Sequence, residues 1–337
     1  MRAPAFWWAE RPTALANLLR PISTVYGAIA GRRMSRQGEK ANLPIVCIGN
    51  FTAGGAGKTP TALAIAELLD NAGESPAFLS RGYGGRLRGP LQVQPYQSPI
   101  DVGDEPILLA GMAPTIVSRN RPAGAHLAYE MGATVVIMDD GLQNASLQKD
   151  CGIAVVDAVT GIGNGLPMPA GPLRTFMDAQ WSAIDALLLL GAGAPGESLA
   201  RQAGLLGKRV FRGRLAPDPM IAKSLEGKRV LAFAGIGRPE KFFETLRECG
   251  AIVEVAKAFP DHHPYNAVDL DNLRQEARQR GLMPVTTEKD LVRISAAARS
   301  EPWTSLSVLP VRLKIEDTSG LRNYLLRRIN DRRLRGA

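Results

Sequence analysis

PIVCIGN over residues 44–50 and FTAGGAGKTP over residues 51–60 decide the fold. Ile45, Val46, Cys47 and Ile48 form an apolar run ending at Gly49, the pattern of a strand buried on both faces. The turn Thr52-Ala53-Gly54-Gly55-Ala56-Gly57-Lys58-Thr59-Pro60 follows directly, and the next residues read as a helix stopped at Gly73. Strand, glycine-rich turn and helix in that order are the setting of a phosphate-binding loop. The usual pattern is G-x-x-x-x-G-K-[ST], and Thr52 stands where its first glycine is expected. Glycines let the backbone curl so that N–H groups face phosphate oxygens at a helix N-terminus. From there Lys58 reaches the β- and γ-phosphates, and the Thr59 hydroxyl joins a magnesium shell.

Outward from the loop, apolar runs alternate with helical patterns. PAFLS (76–80), TIVS (115–118), TVVIMDDG (134–141), IAVVDA (153–158) and AIDALLLLGAG (183–193) read as strands. This spacing predicts an α/β fold: a P-loop NTPase-like, mostly parallel sheet with helices on both faces. A smaller α/β domain begins with RVLAFAGIG near residue 229. The expected division is an amphipathic helical segment over 1–40, a kinase-type domain over 41–208 and a linker strand region over 209–225. The smaller domain follows over 226–307, then a returning strand over 308–317, which pairs with the first linker strand, and a C-terminal helix over 318–337 that packs on the first domain.

Asp139 and Asp140 end the strongest apolar strand beside the phosphate loop. There either carboxylate can hold Mg²⁺, directly or through water, which indicates phosphoryl transfer or nucleotide hydrolysis. Composition narrows the field. Lys and Arg number 41 against 32 Asp and Glu, a net charge of +9 that suits anionic partners. Residues 1–40 hold Arg2, Arg11, Arg20, Arg32, Arg33, Arg36 and Lys40 against Glu10 and Glu39. Cys47, Cys151 and Cys249 are far apart, which speaks against a disulfide framework or thiolate zinc site. No apolar run approaches a membrane span, and no signal peptide is expected at the start.

Within the N-terminal segment Trp8, Leu15, Leu18, Leu19, Ile22, Val25, Tyr26 and Ile29 recur at helical spacing, and Pro12 and Pro21 predict two short helices. The stripe fits a helix pair packed on its own domain or a monotopic membrane contact, with arginines meeting anionic head groups. A GTPase would carry an Asn-Lys-x-Asp base-reading segment, which this chain lacks. A nucleic-acid binder would need a stacking-aromatic module or zinc-finger spacing, and neither occurs.

Further motifs fall in one order: Gly49-Asn50 before the phosphate loop, Ser80-Arg81-Gly82-Tyr83-Gly84, Gly103-Asp104-Glu105-Pro106, Asp139-Asp140-Gly141-Leu142-Gln143-Asn144, and Leu166-Pro167 with Gly171-Pro172-Leu173-Arg174. Phe259-Pro260-Asp261-His262-His263 and Thr286-Thr287-Glu288-Lys289-Asp290 complete the set. In this combination the chain resembles the tetraacyldisaccharide 4'-kinases, the lipid A 4'-kinases of Gram-negative bacteria, from its N-terminal segment to about residue 315. The resemblance implies an ATP- and Mg²⁺-dependent kinase, peripheral at the cytoplasmic face of the inner membrane. Its partners would be an acylated glucosamine disaccharide 1-phosphate lipid and the anionic membrane surface, with no nucleic acid and no obligate protein partner. Departures include Ala53 where valine is common, Pro169 before Ala170-Gly171, and Thr175 where an acidic residue is common.

A sugar hydroxyl is a weak nucleophile, so a positioned base can take its proton. The resemblance implies Asp104 as that base and His262 as the partner that orients or tunes it. From the residues alone, the His262-His263 pair also fits a surface loop or metal ligands. Arg81 and Tyr83 fit either a tight turn or contacts to an anionic phosphate and a sugar ring. Arg174 suits phosphate recognition through its planar fork. Glu105, Gln143 and Asn144 complete the substrate candidates. Thr286 to Asp290 fit either a nucleotide contact from the second domain or a helix cap.

Overall fold

The computed structural model describes residues 3–55, 57–94, 96–297 and 303–335. Thirteen strands are described: β1 Ile45–Gly49, β2 Pro76–Ser80, β3 Leu91–Gln92, β4 Thr115–Val117, β5 Val135–Asp139, β6 Cys151–Asp157, β7 Ala186–Leu190, β8 Arg209–Pro217, β9 Arg229–Ala234, β10 Ile252–Ala258, β11 Met283–Thr286, β12 Ser307–Val308 and β13 Val311–Ile315. Nine form one sheet in the order β13-β8-β7-β6-β1-β5-β2-β4-β3. It is parallel except where β13 meets β8 and β3 meets β4. The other four form a parallel sheet in the order β10-β9-β11-β12.

Because side chains alternate along a strand, β1 feeds two cores. Ile45 and Cys47 pack with Leu79, Met138, Ala125 and Trp181 on one face, while Val46 and Ile48 meet Ile65, Leu69, Leu321 and Leu325 on the other. Each such fully buried aliphatic side chain stabilises the fold by roughly 1.5–3 kcal/mol. Covering on both faces explains why these strands read as unbroken apolar runs rather than alternating ones. The helix Thr318–Leu334 supplies Leu321, Leu325 and Ile329 to the second core, so the chain returns to the large sheet at its end.

The pairing of β8 with β13 carries a detail that periodicity does not show. Residues 209–213 of β8 continue the large sheet beside β7, and residues 213–217 pair with β13. The connection to the smaller sheet is therefore an extension of the large one.

The N-terminal segment differs from the expected pair of short helices. A 3₁₀ turn covers Ala5–Trp8, and one helix then spans Ala14–Met34 with Pro21 inside it. Pro21 deprives the Asn17 carbonyl of its helical donor, but both residues are exposed and water can replace the bond. Thr13 caps the helix, its side chain accepting from Ala16 N at 3.3 Å. The buried residues of this helix are Ala16, Ser23 and Gly27. A Cβ on Gly27 would stand 2.9 Å from the Phe176 ring, so only glycine allows this approach. Ser23 Oγ donates to Pro167 O at 2.6 Å and Thr175 Oγ1 donates to Gly27 O at 2.7 Å. Thr175 is thus a buried brace for the helix. The large apolar stripe faces outward instead, with Leu18 76%, Ile22 61% and Val25 60% exposed. Among the described residues no helix is long and apolar enough to cross a membrane.

Candidate active site

The phosphate loop lies where β1 ends, and the helix Lys58–Asp70 begins at its last glycine. Gly54 and Gly57 have φ of 112° and 81°, conformations that favour glycine. Lys58 is buried, and its Nζ donates to Asn50 Oδ1 and to Gly54 O, both at 3.3 Å. Asn50 Nδ2 also donates to Gly54 O at 2.9 Å, so one amide spans the loop. Thr52 does not need a glycine's freedom: it bridges antiparallel to Leu173, and its φ is not positive. The glycine-proline loop braces this side, with Ala53 N donating to Pro172 O at 2.7 Å and Arg174 Nε donating to Thr52 O at 3.1 Å. Thr59 is buried at the helix start, followed by Pro60 in the first turn, where no intrahelical donor is needed. Ala56 lies outside the described residues.

Register places Asp139 beside Ile48, level with the entry to the loop. Asp139 is buried and its Oδ1 has no hydrogen-bond partner among the described residues. Burial, then repulsion from Glu105 and Asp140, pushes its carboxyl up to about 7. Asp140 adopts φ 52°, which turns its side chain toward Arg174 Nη2 at 3.0 Å and Lys58 Nζ at 3.7 Å. Burial opposes its ionisation, but those two cations outweigh it and hold the carboxyl below the usual range. Asp140 Oδ1 is a second buried oxygen without a hydrogen bond. Two buried carboxylate oxygens without hydrogen bonds, in a cleft that Thr59 also lines, fit a divalent cation. No group of three or more His, Cys, Asp or Glu side chains suited to a metal occurs among the described residues. Mg²⁺ takes one or two carboxylates and completes its shell with water and phosphate oxygens.

Across a cleft of about 1530 Å³ the smaller domain supplies the opposite wall. Gly103, with φ 92°, turns the chain into the helix Asp104–Ala110. His262 Nδ1 lies 3.1 Å from Asp104 Oδ2, joining residues 158 positions apart. His262 holds φ 57°, and its backbone N donates to Gly235 O at 3.0 Å. Lys289 Nζ donates to Glu105 Oε1 at 2.6 Å, and Arg293 Nε stands 3.2 Å from Asp104 Oδ2. Burial raises Asp104, but the His262 hydrogen bond, with the charges of His262, Lys289 and Arg293, lowers its carboxyl to about 2. The same bond raises His262 above its ordinary value against the effect of burial. A second bridge between cleft-lining residues is made where Asp157 meets Arg238 at 2.9 Å and Lys241 at 3.3 Å.

The remaining candidates divide. Arg81, Tyr83, Glu105, Gln143 and Arg174 line the cleft. The Tyr83 and His262 ring centroids are 5.5 Å apart, and Gln143 Nε2 donates to Asn50 O at 2.9 Å. Asn144 is not among the lining residues: its Oδ1 accepts from Ser146 N at 2.9 Å, closing its own turn. His263 points into the smaller domain, pairing with Asp269 at 3.0 Å and stacking on Phe259. Thr287 Oγ1 donates to Asp290 Oδ2 at 2.6 Å, and Asp290 Oδ1 accepts from Gly235 N and Tyr265 OH, each at 2.9 Å. Thr287 Oγ1 also accepts from Asp290 N at 3.1 Å, the bond of a helix cap, while Thr287, Glu288 and Lys289 line the cleft.

A family model described as tetraacyldisaccharide-1-P 4'-kinase matches residues 15–330. The chain belongs to this family. A tetraacyldisaccharide 4'-kinase of Methylobacterium nodulans is 57% identical over 319 residues, covering 94% of this chain and 93% of that protein. One from Bradyrhizobium sp. is 47% identical, covering 99% of this chain and 97% of that protein. Among solved structures, LpxK from Aquifex aeolicus in complex with ATP superimposes with a TM-score of 0.74 at 26% identity, covering 94% of this chain and 99% of that one.

In this member of the tetraacyldisaccharide 4'-kinase family, Asn50, Arg293 and Arg121 stand at or near the site without having been functional candidates, and Lys289 was one only within the segment Thr286 to Asp290. Asn50 was visible only as a neighbour of the loop. Lys289 and Arg293 occupy one face of the helix Glu288–Ala297, and nothing in their spacing says which carboxylates they meet. Arg121 opens the helix Arg121–Glu130 yet is 2% exposed, with Nη1 donating to Ser118 O at 2.8 Å and Nε unpaired. Burial pulls it down to about 10, and Asp139 and Asp140 are among the charges that offset this. An arginine at a helix start reads as a solvated residue, so only the tertiary structure shows it inside.

Proposed function

We infer that this kinase transfers the γ-phosphoryl group of ATP to the 4'-hydroxyl of a tetraacylated glucosamine disaccharide 1-phosphate, a step of lipid A biosynthesis. The observation that carries the assignment of roles is the Asp104–His262 contact, in which His262 lines the cleft and the buried Asp104 stands behind it. The loop amides and Lys58 cradle the β- and γ-phosphates. Thr59, Asp139 and Asp140 would hold Mg²⁺, which when bound offsets the negative charge on the transferring phosphates. Asp104 is ionised throughout the working pH range because its carboxyl lies at about 2. As the 4'-oxygen bonds to the γ-phosphorus and the bond to the β-bridging oxygen breaks, the hydroxyl becomes acidic and its proton passes to Asp104. ADP leaves with the bridging oxygen. A weakly basic carboxylate accepts that proton only late in the transfer, which suits a loose transition state. His262 holds Oδ2 and so orients the carboxylate.

Arg81, Tyr83, Gln143 and Arg174 line the walls where the sugar and its anionic group would bind. The acyl chains would leave past Tyr26 and Ile29, which link the cleft to the exposed apolar stripe. That stripe, with Arg32, Arg33 and Arg36 after it, supports peripheral association with the anionic cytoplasmic face of the bacterial inner membrane. The division into a phosphate-loop domain and a smaller α/β domain that close on the substrate is part of this reading. ATP consumption that depends on the acylated disaccharide 1-phosphate, and falls steeply in Asp104→Asn, is the expected result. Equal ATP consumption with and without the lipid would overturn the assignment.

A further inference from the structure

Arg293 stands outside the roles assigned so far, and its surroundings are unusual for a surface-domain arginine. It is 7% exposed. Nη1 donates to Gly235 O at 2.8 Å, Nε donates to Lys289 O at 3.2 Å, and Asp290 Oδ1 lies 3.4 Å away. The guanidinium is therefore anchored by its own domain while its Nε edge reaches Asp104 Oδ2 in the other. Gly235 O accepts from Arg293 Nη1 and also from His262 N. One carbonyl thus joins the arginine to the turn that keeps His262 in its left-handed conformation, a state that persists only where surroundings over-determine it.

We propose that Arg293 is a positioning residue for phosphoryl transfer, acting from the smaller domain to orient the Asp104 carboxylate and the His262 turn together. The proposal rests on Asp104 being the base. Asp104 Oδ2 pairs with His262 Nδ1 at 3.1 Å and faces the Arg293 charge at 3.2 Å, whereas Oδ1 accepts the Glu105 amide at 3.0 Å. With His262 and the arginine charge both at Oδ2, Oδ1 keeps one lone pair beyond the Glu105 amide for the hydroxyl proton. A planar guanidinium suits this task better than an ammonium, because Nη1 and Nε are pinned to the Gly235 and Lys289 carbonyls while its charge stays against the carboxylate. Arg293 Nη2 is buried without a hydrogen-bond partner among the described residues, so holding this group inside has a cost that an alternative apolar residue would avoid.

The test compares Arg293→Gln and Arg293→Lys, each in the wild-type and Asp104→Asn backgrounds of the full chain. Single-turnover phosphorylation of the lipid disaccharide is measured across pH, with ATP affinity and unfolding followed separately. Arg293→Gln should slow transfer about tenfold to a hundredfold, the scale on which a misplaced base loses efficiency, at unchanged ATP affinity. The groups facing Asp104 are His262, Lys289, Arg293 and Glu105; losing one cation moves the acid limb of the rate to higher pH. Arg293→Lys should fold and recover part of the rate, which serves if the glutamine variant is unstable. In Asp104→Asn, either change should cost less than about threefold, because the group it positions is gone. Equal losses in both backgrounds, or a normal rate in Arg293→Gln, would overturn the proposal. A normal rate in Asp104→Asn alone would instead remove the base reading on which it stands.

Discussion

Asp104→Asn should have two separable consequences, one on turnover and one on folding. The Asp104 carboxyl is held at about 2 against an ordinary 3.8. Burial pushes it up, and the His262 hydrogen bond with the neighbouring positive charges more than reverses that. Nearly two units at about 1.4 kcal/mol each amount to about 2 kcal/mol of stability. Because the folded value is depressed, this contribution is complete above the unfolded value of 3.8 and disappears as pH falls through about 2. At pH 3 about half should remain. The amide cannot ionise, so denaturant unfolding should show Asp104→Asn less stable than wild type by about 2 kcal/mol at neutral pH, the gap narrowing toward about 1 kcal/mol at pH 3. Single-turnover transfer should fall about 10²- to 10⁴-fold with ATP affinity nearly unchanged. A stability gap that stays constant between pH 7 and pH 3 would refute the electrostatic account of the carboxylate. A fast variant would refute its role as base.

Lys58→Ala should lose turnover by orders of magnitude while remaining folded, because its ammonium is the cation within the phosphate loop; a near-normal rate would count against the cradle. Asp139→Asn and Asp140→Asn should each raise the Mg²⁺ concentration needed for half-maximal activity, and unchanged titrations in both would remove these carboxylates from the metal site. Leu18, Ile22 and Val25 changed together to serine should weaken binding to anionic vesicles with little loss of folding stability, since all three are exposed. Added salt should weaken only the electrostatic part of that binding, and unchanged partitioning of the folded variant would argue against the stripe as the membrane contact.

The phosphate loop and the acidic strand end were legible in the sequence because both are local. Apolar runs from Ile45 and from Val135 mark strands buried on both faces, and glycines, a lysine and carboxylates at their ends mark what must lie at one edge of the sheet. The α/β class followed from the same alternation. The N-terminal helix shows where periodicity stops being informative. Its pattern reveals an apolar stripe but not what that stripe meets, and the structure buries the small face of Ala16, Ser23 and Gly27 instead. Close approach to Phe176 and Pro167 selects small residues, so the side with the larger hydrophobic groups is left outside.

Asp104 and His262 were placed together through family resemblance, but the chain separates them by 158 positions and no spacing rule joins them. What brings them together is the turn at Gly103, the left-handed backbone at His262 and the docking of the helix Glu288–Ala297 against the helix Asp104–Ala110. Which residue types stand at the strand ends follows from the chain's local order, because strand, loop and helix are set by neighbouring residues. Only the tertiary structure decided which charges face which, as Arg293 with Asp104, Lys289 with Glu105 and Arg174 with Asp140. Those pairings depend on how two sheets and their loops meet across the cleft, a property of packing at long sequence separation that local periodicity does not encode.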